Sequence, residues 1–166
     1  DYTGATTINA STLSVDCLAD GGVASAIGAS TSDAANLTLV GGRLTYTGAS
    51  VSTDRSLTVQ SGNNYIDVSN GATTLEISGD IVGGGNLRKE GSGELLLAGA
   101  NTFSGHTFVQ AGTLRAGSSN AFGQASLQMY NVAGATLDLD GFDNVFSYIS
   151  GGGALGGDIV LNGATL

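Results

Sequence analysis

Apolar and polar side chains alternate along most of the chain, in short runs of about four to six residues separated by Gly, Asn, Ser and Asp. Alternation at i and i+2 is the period of a β-strand with one buried face. The separating residues are turn formers. The apolar pairs are Leu13/Val15, Leu37/Leu39, Leu44/Tyr46, Leu57/Val59, Ile66/Val68, Leu75/Ile77, Leu95/Leu97, Leu127/Met129, Leu137/Leu139 and Ile159/Leu161.

This pattern predicts an all-β chain of about fourteen short strands. The stretch Val23–Ile27 is the one plausible helical segment, and its flanking glycines favour a loop or a single turn instead. A sandwich, a barrel and a β-helix would all give this number of strands.

Three features favour the β-helix. The phrase Gly-x-Leu recurs at 42–44, 85–87, 93–95, 112–114 and 153–155, and internal repetition is typical of solenoids. Aromatic residues make up only 6% of the chain, and there is no Trp, whereas sandwich cores rely on large aromatics. Asn is frequent at turns, where stacked coils can align it into ladders. At about 20–25 residues per coil, we expect about seven coils.

Composition narrows the function classes. Five Lys and Arg against 14 Asp and Glu give a net charge of −9, which argues against nucleic acid as a partner. No apolar run reaches the roughly 18 residues of a membrane-spanning helix. The single cysteine, Cys17, cannot form an internal disulfide, and we expect it to be a small buried apolar residue.

Both ends of the chain lie in mid-pattern. The closing "GATL" repeats residues 134–137, so we expect one β-helical unit over residues 1–166 that is a fragment of a longer array. Open strand edges on the first and last coils predict some tendency to pair end to end.

Residues 85–117, "GNLRKEGSGELLLAGANTFSGHTFVQAGTLRAG", resemble the passenger-associated strand repeat of Gram-negative autotransporters. The positions that match the repeat are Gly85, Leu87, Lys89, Gly91, Gly93, Leu95, Leu97, Gly99, Asn101, Thr102, Phe103, Gly105, Thr107, Val109, Gly112 and Leu114. Residues 25–59 resemble a phrase that often accompanies this repeat, and residues 134–155 resemble the next coil.

The resemblance implies a right-handed parallel β-helix within a passenger. A C-terminal β-barrel of the same precursor would carry this passenger across the outer membrane to the bacterial cell surface, from which it can be secreted. It also implies a role for the repeat in secretion and folding of the passenger.

Candidate catalytic residues are few. The only histidine, His106, lies inside the repeat, and we interpret it as a surface turn residue, since nothing marks a Ser-His-Asp triad. Asp138 and Asp140 alternate with leucines, so both should face outward about 7 Å apart, within the range of an inverting glycosidase pair. With Asp143 nearby, calcium binding is a further hypothesis. A solvated acidic face is the favoured interpretation.

Residues 152–160, "GGALGGDIV", resemble one imperfect copy of a calcium-binding nonapeptide that functions in tandem. We therefore assign no catalytic, cofactor or metal residue and expect no cofactor. The sequence predicts a non-enzymatic passenger segment that adheres to host cells, to matrix molecules or to other bacteria. The alternatives are a structural stalk or folding module, and a polysaccharide hydrolase or lyase.

Overall fold

The computed structural model describes residues 2–166, and strands account for its regular structure. The strands are β1 (Thr6–Asn9), β2 (Thr12–Val15), β3 (Leu37–Val40), β4 (Arg43–Tyr46), β5 (Val51–Thr53), β6 (Leu57–Val59), β7 (Asn63–Val68), β8 (Thr74–Ile77), β9 (Ile81–Val82), β10 (Asn86–Glu90), β11 (Glu94–Leu97), β12 (Thr107–Val109), β13 (Thr113–Ala116), β14 (Leu127–Met129), β15 (Thr136–Asp138), β16 (Ile149–Gly151) and β17 (Asp158–Val160).

These strands form three parallel sheets, which are the faces of a β-helix of about six turns. The first sheet has the order β1-β3-β6-β9, the second β16-β14-β12-β10-β7-β4-β2, and the third β17-β15-β13-β11-β8-β5. Consecutive strands belong to different sheets, so every neighbour in a sheet comes from the adjacent coil. The predicted parallel β-helix is confirmed, and the expected seven coils are close to the observed number.

Identical positions of successive coils stack into buried apolar ladders. In the third sheet the inward residues pair in register from Val51 to Leu75, Leu95, Leu114, Leu137 and Ile159. Leu75, Leu95, Leu114 and Leu137 have no exposed surface. Because each coil has only one thin layer of inward side chains, it gains its core by stacking on its neighbours. The predicted inward orientation of Leu95 is therefore confirmed.

A lysine interrupts the corresponding ladder of the second sheet. Lys89 lies between Ile66 and Val109 in register and has no exposed surface. Its Nζ donates hydrogen bonds of 2.7, 2.8 and 3.1 Å to the carbonyl oxygens of Glu90, Gly91 and Ala111. The ammonium thus satisfies carbonyls at the corner between β10 and β11, on two successive coils.

Glycines allow close contact between the corners of stacked coils. A Cβ at Gly105 would lie 2.2 Å from the carbonyl oxygen of Gly85, one coil earlier. Gly91 combines the same restriction, 2.2 Å from the oxygen of Val68, with a φ of +76°. Both positions require glycine, because any side chain would push the coils apart or strain the backbone. This explains the recurrent glycines of the repeat.

The first sheet ends at β9, and later coils continue this face of the β-helix in irregular structure. From there on, Asn101, Phe103 and Phe122 take the inward positions without regular strands, and all three are buried. The Asn101 side chain accepts a 2.7 Å hydrogen bond from the backbone N–H of Ile81 and donates one of 2.6 Å to the carbonyl of Ala121. One amide therefore links three successive coils.

Helical structure in residues 2–166 is limited to a single 3₁₀ turn, Ala34–Asn36, and the segment Val23–Ile27 is a loop, as predicted. No helix in this part of the chain is long and apolar enough to cross a membrane.

The loop that follows β2 is fastened to the solenoid by a buried arginine. Arg55 is 3% exposed and donates hydrogen bonds to the carbonyls of Ala19, Val23 and Gly28. Cys17 lies in this loop and is exposed, so the prediction of a buried Cys17 is wrong. The strand ends at Val15, and the chain leaves the inward ladder before it reaches the thiol.

Candidate functional site

The carboxylates of Asp138 and Asp140 bind neighbouring coils. Asp138 ends β15, but Asp140 lies beyond the strand at a φ of +46°, so the prediction that both face outward on one strand holds only for Asp138. Asp140 accepts hydrogen bonds of 2.7 and 3.1 Å from Arg115. Asp138 accepts bonds of 2.9 Å from the Asp140 backbone N–H and from Asn162. Both acids serve the contacts between coils.

The hypothetical calcium ligands are not brought together. Asp143 accepts a 2.6 Å hydrogen bond from the Thr165 backbone N–H, which lowers the pKa of that carboxyl. Within residues 2–166, no group of three or more His, Cys, Asp and Glu side chains is arranged to hold a metal ion. Residues 152–160 contain a bridge between Gly153 and Gly156, followed by β17.

His106 is exposed and immediately precedes β12, in agreement with its interpretation as a surface residue. Its Nδ1 contacts the hydroxyl of Ser126, which is 20 residues later and occupies the stacked position of the next coil. In the described chain no carboxylate hydrogen-bonds the imidazole to orient it, as a catalytic triad requires.

A row of arginines and aromatic rings runs along the outer face of the second sheet. Arg43, Tyr65, Arg88 and Phe108 pair in register on β4, β7, β10 and β12, and we call these four residues the arginine–aromatic stripe. Their positions alternate with the inward ladder, so the four side chains lie on the outer face, where Arg43, Tyr65 and Arg88 are half-buried and Phe108 is largely covered. Coil stacking brings them together although they are 20 to 23 residues apart in the sequence.

Cation–π contacts order the stripe. The Arg43 guanidinium carbon lies 4.7 Å from the centroid of the Tyr65 ring. Arg88 lies between two rings, 5.8 Å from the centroid of Tyr65 and 4.0 Å from that of Phe108. Such contacts contribute about 0.5–1 kcal/mol each at exposed sites. They hold the side chains in fixed positions, so less side-chain conformational entropy is lost when a ligand binds.

The two arginines of the stripe differ in their charge partners. Arg43 forms ion pairs with Asp67 and Glu90, and the hydrogen bond with Glu90 raises the pKa of Arg43. Arg88 has no ion pair within residues 2–166 and donates one 3.2 Å hydrogen bond to the Tyr130 hydroxyl.

The other cations of the chain are engaged: Lys89 and Arg55 are buried against carbonyls, and Arg115 pairs with Glu94 and Asp140. Arg88, which is half-buried, is therefore the one cation on an outward-facing strand position of the described chain that has no acidic partner. The alternation of apolar and polar residues does not reveal the stripe, because the lengths of the coils determine which outward residues become neighbours.

A matched repeat and a 57% identical relative indicate the class of protein to which the chain is similar. The model of the passenger-associated-transport-repeat family matches residues 1–15 and 87–116. The second range lies within the predicted repeat at 85–117, whereas the accompanying phrase at 25–59 lies outside the matched ranges and stays a prediction. The matches support an autotransporter passenger repeat domain, a kind of segment that is exported across the outer membrane to the cell surface.

The chain is similar over its whole length to a curated protein, the adhesin BmaC autotransporter of Brucella suis biovar 1 (strain 1330). The two are 57% identical over 167 residues, which cover 100% of this chain and 5% of the relative. This chain thus spans about one-twentieth of that relative's length. No solved structure matches the chain.

Proposed function

We propose that this chain is a non-enzymatic adhesive segment of an autotransporter passenger, and that the outer face of its second sheet contacts host cells, matrix molecules or another bacterium. The observation that carries the proposal is the arginine–aromatic stripe. It combines two aromatic rings with the guanidinium of Arg88, which has no ion pair within residues 2–166, and aromatic and arginine side chains are enriched at the centres of interfaces. The name of the 57% identical relative, an adhesin, supports the same function.

The chemistry of Arg88 favours a ligand with a carboxylate or another planar anion. A guanidinium binds such groups through two parallel hydrogen bonds, and the flanking rings shield it from water. The net charge of −9 opposes highly anionic ligands such as nucleic acid, so a single acidic group on a largely neutral surface fits better.

A stalk or folding module is the second candidate, and the repeat itself supports it. The repeat residues Leu95, Lys89 and Asn101 are buried, and Gly105 lies at a corner contact. These residues contribute to the stacking of coils, so they offer few accessible polar groups to a ligand. Asp138 and Asp140 give no such support to a hydrolase or lyase, because their carboxylates bind Arg115, Asn162 and backbone.

Binding of the purified, labelled chain to epithelial monolayers and to immobilised matrix proteins separates the first two candidates. Adhesion predicts saturable binding to at least one of these surfaces. Absence of binding on all of them, together with absence of self-association in light scattering, contradicts an adhesive site in these residues and favours the stalk.

Light scattering must accompany the assay, because the last coils expose apolar side chains, among them Val145 at 74%, Leu155 at 69% and Tyr148 at 66%. Self-association through such a surface would imitate multivalent binding.

A further inference from the structure

The first face of the solenoid carries a second candidate site, a groove formed by two adjoining open cavities of about 390 and 380 Å³. Both cavities are lined by Asn120, Gly123 and Gln124. The groove crosses three successive coils, from residues 100–104 through 119–124 to 145–147. It is separate from the arginine–aromatic stripe, which lies on the second sheet.

The groove lies where regular strands stop on this face. The last strand there is β9, and the later coils use turns, in which the backbone N–H of Ala121 bonds to Ser118 and that of Gly123 to Asn120. These hydrogen bonds lie within one coil and do not join neighbouring coils, so they interrupt the flat surface of the sheet. Cavities of this size fall in the range that small-molecule ligands occupy.

Uncharged hydrogen-bonding groups line the groove. The amides of Asn120 and Gln124 and the hydroxyls of Thr102 and Ser104 are exposed, and none of these side-chain groups has a hydrogen-bond partner within residues 2–166. No Asp, Glu, Lys, Arg or His lines either cavity. The groove therefore offers unused donors and acceptors without a net charge.

We propose that this groove binds an uncharged oligosaccharide. Amide and hydroxyl groups act as both donors and acceptors, which matches the hydroxyl groups of a sugar. The exposed side chain of Val145 and that of Ala100 supply apolar surface for the C–H face of a sugar ring. A linear ligand would lie along the solenoid axis, across coils that repeat at roughly 4.8 Å.

The test is a two-dimensional NMR titration of the whole 166-residue chain with cellohexaose, maltohexaose and hexa-N-acetylchitohexaose, and with hexagalacturonate as the acidic comparison. We expect at least one neutral hexasaccharide to shift the amide resonances of residues 100–104, 119–124 and 145–147. The acidic oligosaccharide should bind more weakly, because neither cavity offers it a cation.

Gln124→Ala and Asn120→Ala should each weaken this binding about threefold to tenfold, since each removes hydrogen bonds to the ligand. The matched control is Gln128→Ala, which should bind like the parent; Gln128 is exposed on the second sheet, and its side chain has no hydrogen bond within residues 2–166. Both groove side chains are exposed and make no hydrogen bond in the part of the chain that the structure describes, so the variants should melt like the parent.

The proposal is overturned if no neutral hexasaccharide binds, if the shifts map to the second sheet, or if the groove variants bind as tightly as Gln128→Ala. Because the groove and the stripe lie on different faces, loss of sugar binding in these variants would leave adhesion through Arg88 intact. Failure of either proposal can thus be recognised separately.

Discussion

Lys89→Met tests whether a buried ammonium controls the stability of the repeat. Burial lowers the pKa of Lys89 from 10.5 to about 8, against the opposing effect of Asp67, Glu90 and Glu94. Between these two pH values, the unfolded chain holds a proton that the folded chain has lost. Folding is therefore favoured increasingly as the pH rises through this window.

The magnitude follows from the pKa difference. About 2.5 pH units correspond to about 3 kcal/mol of unfolding free energy, at roughly 1.4 kcal/mol per unit. Below pH 8 the amine is protonated in both states, and its net unfavourable environment lowers the stability of the folded chain by this amount; above pH 10.5 it is neutral in both states and this cost is absent. The methionine variant has no proton to lose at this position, so the parent should gain about 3 kcal/mol relative to the variant between pH 8 and 10.5.

Urea unfolding followed by circular dichroism at half-unit steps from pH 7 to pH 10.5 measures this difference. Tyrosine ionisation affects parent and variant alike and cancels in the comparison. Gln128→Met, an exposed uncharged substitution, should retain the pH dependence of the parent. A free-energy difference between parent and Lys89→Met that stays constant with pH would refute the assignment of Lys89 as a buried, titrating group.

Three further predictions test the packing of the coils. Leu95→Asp should destabilise the fold by more than about 4 kcal/mol, because it buries an unpaired charge. Leu96→Asp, on the outward side of the same strand, should melt close to the parent, and equal melting of the two variants would contradict the inward ladder. Gly105→Ala should lower the free energy of unfolding by about 1–3 kcal/mol, because its Cβ would meet a carbonyl oxygen. Gly84→Ala has open space around its Cβ and should leave the thermal unfolding nearly unchanged, and an equally stable Gly105→Ala would contradict the corner contact. Cys17 should react with a thiol reagent in the native chain at the rate of an exposed cysteine, and protection until unfolding would contradict its position in the loop.

Much of the fold could be predicted because the inward ladders impose strict alternation. Every apolar pair identified from the sequence has at least one member in an observed strand, and residues 85–117 resemble a repeat that the family match supports. The additional strands, such as β1 and β9, were not predicted, because they are short or contain no apolar i, i+2 pair of the expected kind.

The contacts between outward side chains of neighbouring coils could not be predicted, because coil length varies. Partners in register are 31 residues apart at Thr12 and Arg43 but 20 apart at Leu87 and Thr107. A change of one residue in a coil would place a different side chain beside Arg88, so the stripe depends on lengths that alternation does not specify. The exposure of Cys17 has a similar cause, since the chain leaves the ladder after Val15.

The most direct test of adhesion through the second sheet compares Arg88→Gln with Arg115→Gln for binding to epithelial monolayers. Both substitutions remove an outward arginine from a strand, but Arg115 is paired with acids on another face. The account predicts that Arg88→Gln binds about tenfold more weakly than the parent, while Arg115→Gln binds like the parent. Equal affinities of all three proteins, with melting curves that show them folded, would contradict the arginine–aromatic stripe as the adhesive surface.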